Sequence, residues 1–120
     1  MGFMFEDLQI YQKSIDFAAR IGKITAEFPK GCYYLSDQLN RASVSISTNL
    51  AEGNGRFTKA DRKNFFTIAR GSLHECLPLL ELSYRKELIS KVIHDQLRQE
   101  LEIMSKMLSG LIKGVDKRKR

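Results

Sequence analysis

Two groups of residues have the types and spacing to do chemistry. The first is cationic. Arg56, Lys59, Arg62, Lys63 and Arg70 crowd a stretch whose one acidic residue is Asp61. On a helix, Lys63 and Arg70 are seven positions apart and project within about 20° of one another. Such a patch can neutralise the phosphates of a polyanion. The interleaved Phe57, Phe65 and Phe66 can either stack on bases or fill a core, and their helical spacing favours the core. The second group is polar. Asn49 and Glu52 lie one helical turn apart, as do Ser72 and Glu75, with Arg41 and Arg56 available to compensate a carboxylate. Paired carboxylates can hold a cation or act as acid and base. The same residues can form a buried hydrogen-bond network that fixes the register of two helices, and that is the expectation here.

Other reactive residues lack partners at useful spacing. His74 and His94 have no second ligand one helical turn away, and Cys32 and Cys76 form no metal-like pattern. Arg70 and His74 are too close in sequence for the helical ribonuclease motif that pairs an arginine with a histidine. Gly53-Asn54-Gly55 closes a helix instead of opening one after a strand, so it is no phosphate loop. No catalytic residue, metal or cofactor is expected, and the chain reads as a non-enzyme.

The elements that must position these groups are helices. The 120 residues suit one domain, with 42% hydrophobic and 28% charged residues. No apolar run reaches the length needed to cross a bilayer, and the start MGFMFED is unlike a signal peptide. With two reduced cysteines, a cytoplasmic location is expected. The first helix is expected over Asp7–Glu27, with Ile10, Phe17, Ile21, Ile24 and Phe28 on one face and Pro29 ending it. The second covers Tyr34–Glu52, carrying Leu35, Leu39, Ala42, Ile46 and Leu50, with Gly53 expected as a left-handed stop. Thr58 and Asp61 resemble a capping box that starts the third helix near Lys59. That helix reaches Lys86, with Phe65, Ala69, Leu73, Cys76, Leu80 and Tyr84 inward and Pro78 bending it. Ser90 caps the fourth, whose Leu97, Leu101, Met104, Leu108, Leu111 and Val115 repeat at heptad-like spacing. The fold expected is all-α: an antiparallel up-down-up-down four-helix bundle over residues 1–116, followed by a basic tail, 117–120.

Two further features concern partners. The net charge is +6, and a second cationic run, Lys113, Lys117, Arg118, Lys119 and Arg120, faces only Asp116. A polyanion suits both runs, although a solvated surface with a basic tail has the same composition. Phe66, Ile68, Leu77, Ile103 and Met107 lie off the main apolar seams, which points to a second buried surface and self-association.

The segment QLNRASVSISTNLAEGNGR at positions 38–56, followed by GSLHE at 71–75, resembles the 23S rRNA intervening sequence protein family. The opening FEDLQIYQKS resembles that family's start, with Tyr11 where tryptophan is usual. Ser47 stands where the family commonly has proline, and Asn40 where it often has arginine. The resemblance implies a four-helix bundle that assembles as a ring-like homopentamer. It extends to the accessory protein of diversity-generating retroelements, a pentamer that engages a reverse transcriptase and its RNA. The function expected is therefore nucleic-acid binding, to structured RNA, through Arg56, Lys59, Arg62, Lys63 and Arg70 with the Lys117–Arg120 tail. The alternative is a protein–protein scaffold or accessory subunit for a reverse transcriptase or another nucleoprotein partner.

Overall fold

The computed structural model describes Phe5 and residues 8–117. Four helices account for nearly all of it: α1 (Gln9–Thr25), α2 (Tyr33–Asn54), α3 (Lys59–Arg85) and α4 (Lys91–Lys117), with a short 3-10 turn at Lys30–Cys32 before α2. No strand occurs among the described residues. Each helix packs on its neighbour in sequence, and α1 also packs on α4, which closes the bundle. No helix among the described residues is long and apolar enough to cross a membrane.

Local chemistry accounts for the helix ends. Thr58 Oγ1 accepts the Asp61 amide at 3.1 Å and opens α3, as the capping pattern requires. Ser90 Oγ accepts from the Ile93 amide at 3.2 Å at the start of α4. Helix α1 ends at Thr25, whose hydroxyl donates back to the Ile21 carbonyl at 2.8 Å, ahead of Phe28-Pro29. Asn40 Nδ2 donates to Thr25 Oγ1 and to the Ser36 carbonyl, both at 2.8 Å. It therefore ties α2 to α1.

The core is apolar and continuous. It joins Phe17 and Ile21 of α1, Leu39, Ile46 and Leu50 of α2, Leu73 and Leu80 of α3, and Leu97, Leu101, Met104 and Leu108 of α4. In α3 the inward register differs from the expectation. Phe66, Ala69, Leu73, Cys76, Leu80 and Ser83 are buried, while Phe65 is half-buried and Tyr84 is exposed. The observed positions repeat at alternating spacings of three and four, a straight heptad seam that Phe65 and Tyr84 would break.

Gly53 explains the preference for Phe66. It is buried inside α2, which continues to Asn54, and no glycine among the described residues has positive φ. A Cβ at Gly53 would lie 2.6 Å from Phe66 Cε1. The glycine is thus a slot for the Phe66 ring and not a left-handed stop. Phe66 consequently belongs to the protomer's own core, at 2% exposure, and cannot serve the subunit interface assigned to it from sequence. Leu77 and Met107 also pack partly buried against the core, whereas Ile68 and Ile103 remain exposed.

Candidate nucleic-acid interface

The turn from α2 to α3 is short, Gly55 to Thr58, and its conformation is set by charged side chains. Arg62, one turn into α3, reaches back and donates through Nη1 to the carbonyls of Arg56 and Phe57, each at 2.9 Å. Arg56 forms an ion pair with Glu52 at 2.8 Å and lies over the Phe65 ring, 4.5 Å from its centroid. Both arginines therefore have fixed geometry, and Phe65 serves as a platform for one of them.

The last turn of α4 meets the first turn of α3 at Asp116. Lys63 Nζ donates to both carboxylate oxygens of Asp116, at 3.1 and 3.0 Å, and Lys59 Nζ donates to its backbone carbonyl at 3.5 Å. Two cationic runs that look separate in sequence thus share one end of the bundle. Asp116 offsets part of the charge of Lys59 and Lys63, while Lys113 and Lys117 on the same helix stay exposed. Sequence reasoning misses Asp116 as a bridge, because its partners lie more than fifty residues away along the chain. Arg70 lies about 10 Å of helix rise beyond Lys63 and is not brought into this group. Arg118, Lys119 and Arg120 lie outside the described residues.

The polar network forms around a residue the sequence reading left out. Ser45 Oγ and Ser72 Oγ lie 2.8 Å apart across α2 and α3. Asn49 Nδ2 donates to the Ser45 carbonyl at 2.8 Å and to Ser45 Oγ at 3.0 Å. The charged members expected there go elsewhere. Glu52 is exposed and pairs with Arg56, Arg41 is exposed and pairs with Asp37 at 3.4 Å, and Glu75 is exposed. Leaving charges in water while small hydroxyls and an amide bond inside avoids burying a carboxylate without compensation. The paired-carboxylate reading loses its geometry as well, since the two carboxylates are not gathered in one pocket.

Among the described residues no group of three histidine, cysteine or acidic side chains is placed to hold a metal. Cys76 is buried, and that burial, with a smaller contribution from the Glu75 charge, pushes its thiol up to about 12. It stays protonated near neutral pH and behaves as a core residue.

The family's sequence model matches residues 6–110 of this chain, under the description 23S rRNA-intervening sequence protein. The chain belongs to that family. A crystal structure of a protein of unknown function, from the S23 ribosomal protein family of Bacteroides thetaiotaomicron, has the same fold at a TM-score of 0.81. The two are 27% identical over 87% of this chain and 95% of that one. No curated sequence matches the chain. Neither the family nor this relative carries a description that names an enzymatic activity. The matched region of the intervening sequence protein spans the α2–α3 turn, Gly53 and the Ser45–Ser72 contact.

Proposed function

We propose that this intervening sequence protein is a non-enzymatic RNA-binding protein that engages the backbone phosphates of structured RNA. One observation carries the reading: Asp116 joins Lys59 and Lys63 and so gathers the α2–α3 turn and the end of α4 into one basic surface. On it stand Arg56, Lys59, Arg62 and Lys63, with Lys113 and Lys117 beside them and the Arg118–Arg120 run continuing the chain. Basic clusters of this kind bind polyanions by releasing condensed counterions. The family's description, which names 23S rRNA, is consistent with an RNA target.

Lys59, at the start of α3, meets Asp116, at the end of α4, and Arg20, near the end of α1, meets Glu100 in the first half of α4; both pairings support an up-down-up-down course. Exposed Ile68 and Ile103 support assembly of that bundle into an oligomer, for which a homopentamer is the proposed form. Sedimentation at micromolar concentration should then give a particle several times the 13.8 kDa chain mass; a lone chain would refute assembly.

The test of RNA binding is Lys59→Ala with Lys63→Ala. Affinity should fall across unrelated RNA sequences, and the log–log salt slope should flatten by about one unit per lost phosphate contact. Removing residues 117–120 is the control. Should that deletion abolish binding while the double substitution changes nothing, the folded patch is not the site. A second reading, an accessory subunit or scaffold for a reverse transcriptase or other nucleoprotein, is favoured by the exposed Val44 in a shallow groove with Asn40, Arg41, Ser45 and Thr48. It requires a protein partner whose binding is independent of RNA.

A further inference from the structure

Phe57 stands at the tip of the α2–α3 turn and is 95% exposed. The next two phenylalanines along the chain divide the other roles of an aromatic between them: Phe66 fills the core, and Phe65 supports Arg56. Phe57 has no structural task, yet the backbone that carries it is held on both sides. Arg62 grips the carbonyls of Arg56 and Phe57, the Gly55 amide donates back to Glu52 at 3.2 Å, and Thr58 caps α3 immediately afterwards. The backbone that presents the ring is already ordered, so covering the ring costs its side-chain rotamer freedom alone. It also sits between cations, with Arg56 before it and Lys59 after it.

From this juxtaposition we propose that Phe57 is a stacking platform for an unpaired nucleobase, so that the basic surface selects single-stranded or looped RNA over uninterrupted duplex. The inference rests on the RNA-binding reading above and narrows its substrate class. A partner that satisfies both features must bring anionic charge and a flat apolar face together. An unpaired nucleotide does so with its phosphate and its base. Away from its two ends, a duplex offers the same phosphates but stacks its base faces against one another, which leaves Phe57 nothing to cover it there. An acidic peptide matches the charge but has no obligatory flat face.

The experiment compares two labelled probes by fluorescence anisotropy: an adenine-rich single strand of about 12 nucleotides and a blunt RNA duplex of similar length. Phe57→Ala should weaken binding to the single strand by about five-fold or more, the loss of one stacked base, and leave the duplex unchanged. The salt slope should stay the same, because no phosphate contact is removed. The chain has no tryptophan, so Phe57→Trp introduces a unique fluorophore. It should retain single-strand affinity, and its emission should be quenched by the single strand and not by the duplex. Equal weakening on both probes, no weakening on either, or an unquenched tryptophan would overturn the proposal. The lysine pair separates the two levels of the argument. If Phe57→Ala is silent while Lys59→Ala with Lys63→Ala weakens both probes, the stacking role falls and RNA binding stands. If neither variant matters, RNA binding through this surface falls with it.

Discussion

The two turns flanking α3 solve the same geometric problem in opposite ways. Between α3 and α4 the chain is fixed by its own backbone. The Leu88 amide donates to the Ser83 carbonyl and the Glu87 amide to the Tyr84 carbonyl, both at 2.9 Å, with Glu87 in the left-handed region at φ 62°. This is the double-bonded helix ending that usually carries glycine, here built with glutamate, and it turns Ile89 into the core. Between α2 and α3 a charged side chain, Arg62, adds two bonds to turn carbonyls beside the backbone returns from Gly55 and Arg56, and the apolar residue of that turn points away from the core. A turn that buries its hydrophobe stabilises the bundle. A turn that exposes one gains no such stabilisation from it.

The sharpest test of the contrast sets two phenylalanines against each other. Phe66→Ala should lower stability by about 3–5 kcal/mol, through lost burial and the cavity left beside Gly53. Phe57→Ala should change it by less than about 0.5 kcal/mol. Chemical denaturation measures both, and a large loss at Phe57 would show that the turn needs its ring for folding. Next in size is Gly53→Ala. Its Cβ would overlap the Phe66 ring, which is boxed in by the core, so a loss of about 1–3 kcal/mol is expected in the same assay. A neutral Gly53→Ala would mean that the ring can move and that the slot is not tight.

These residues also show what the chain discloses before it folds. The four helices are legible because apolar residues recur at helical spacing and because Thr58 and Ser90 carry cap chemistry at the starts of α3 and α4. The choice between Phe65 and Phe66 was not legible. Adjacent residues on a helix differ by about 100°, either ring lies one turn from Ala69, and the space beside Gly53 in another helix admits Phe66. The polar site was half legible for a related reason. Types and spacing single out Asn49 and Ser72, but the serine that bridges them resembles several others in α2, and exposure releases Glu52 and Glu75 to solvent. Asp116 is a long-range partner of Lys63, more than fifty residues away, which no local pattern encodes.

A third prediction tests whether Arg62 really governs its turn. Arg62→Met keeps the aliphatic stem and removes the donors to the Arg56 and Phe57 carbonyls. Because water can replace part of what is lost at this exposed turn, the global effect should be about 1 kcal/mol. The local effect should be clearer, with faster amide hydrogen exchange across residues 55–58 and unchanged exchange in the centre of α3. Uniform protection in both places would show that the backbone alone fixes the turn, and the contrast with the α3–α4 connection would disappear.

The smallest effect belongs to the other turn and has the opposite sign. Glutamate at φ 62° brings its Cβ close to the following carbonyl, a strain that glycine does not have. Glycine also loses more freedom on folding, which returns part of the gain. Glu87→Gly should therefore stabilise the protein, by up to about 1 kcal/mol, with no change in any RNA affinity. Thermal denaturation beside wild type is the measurement. A decrease in melting temperature would mean that the Glu87 side chain makes a favourable interaction larger than the backbone strain, and that this turn, too, depends on a charged residue.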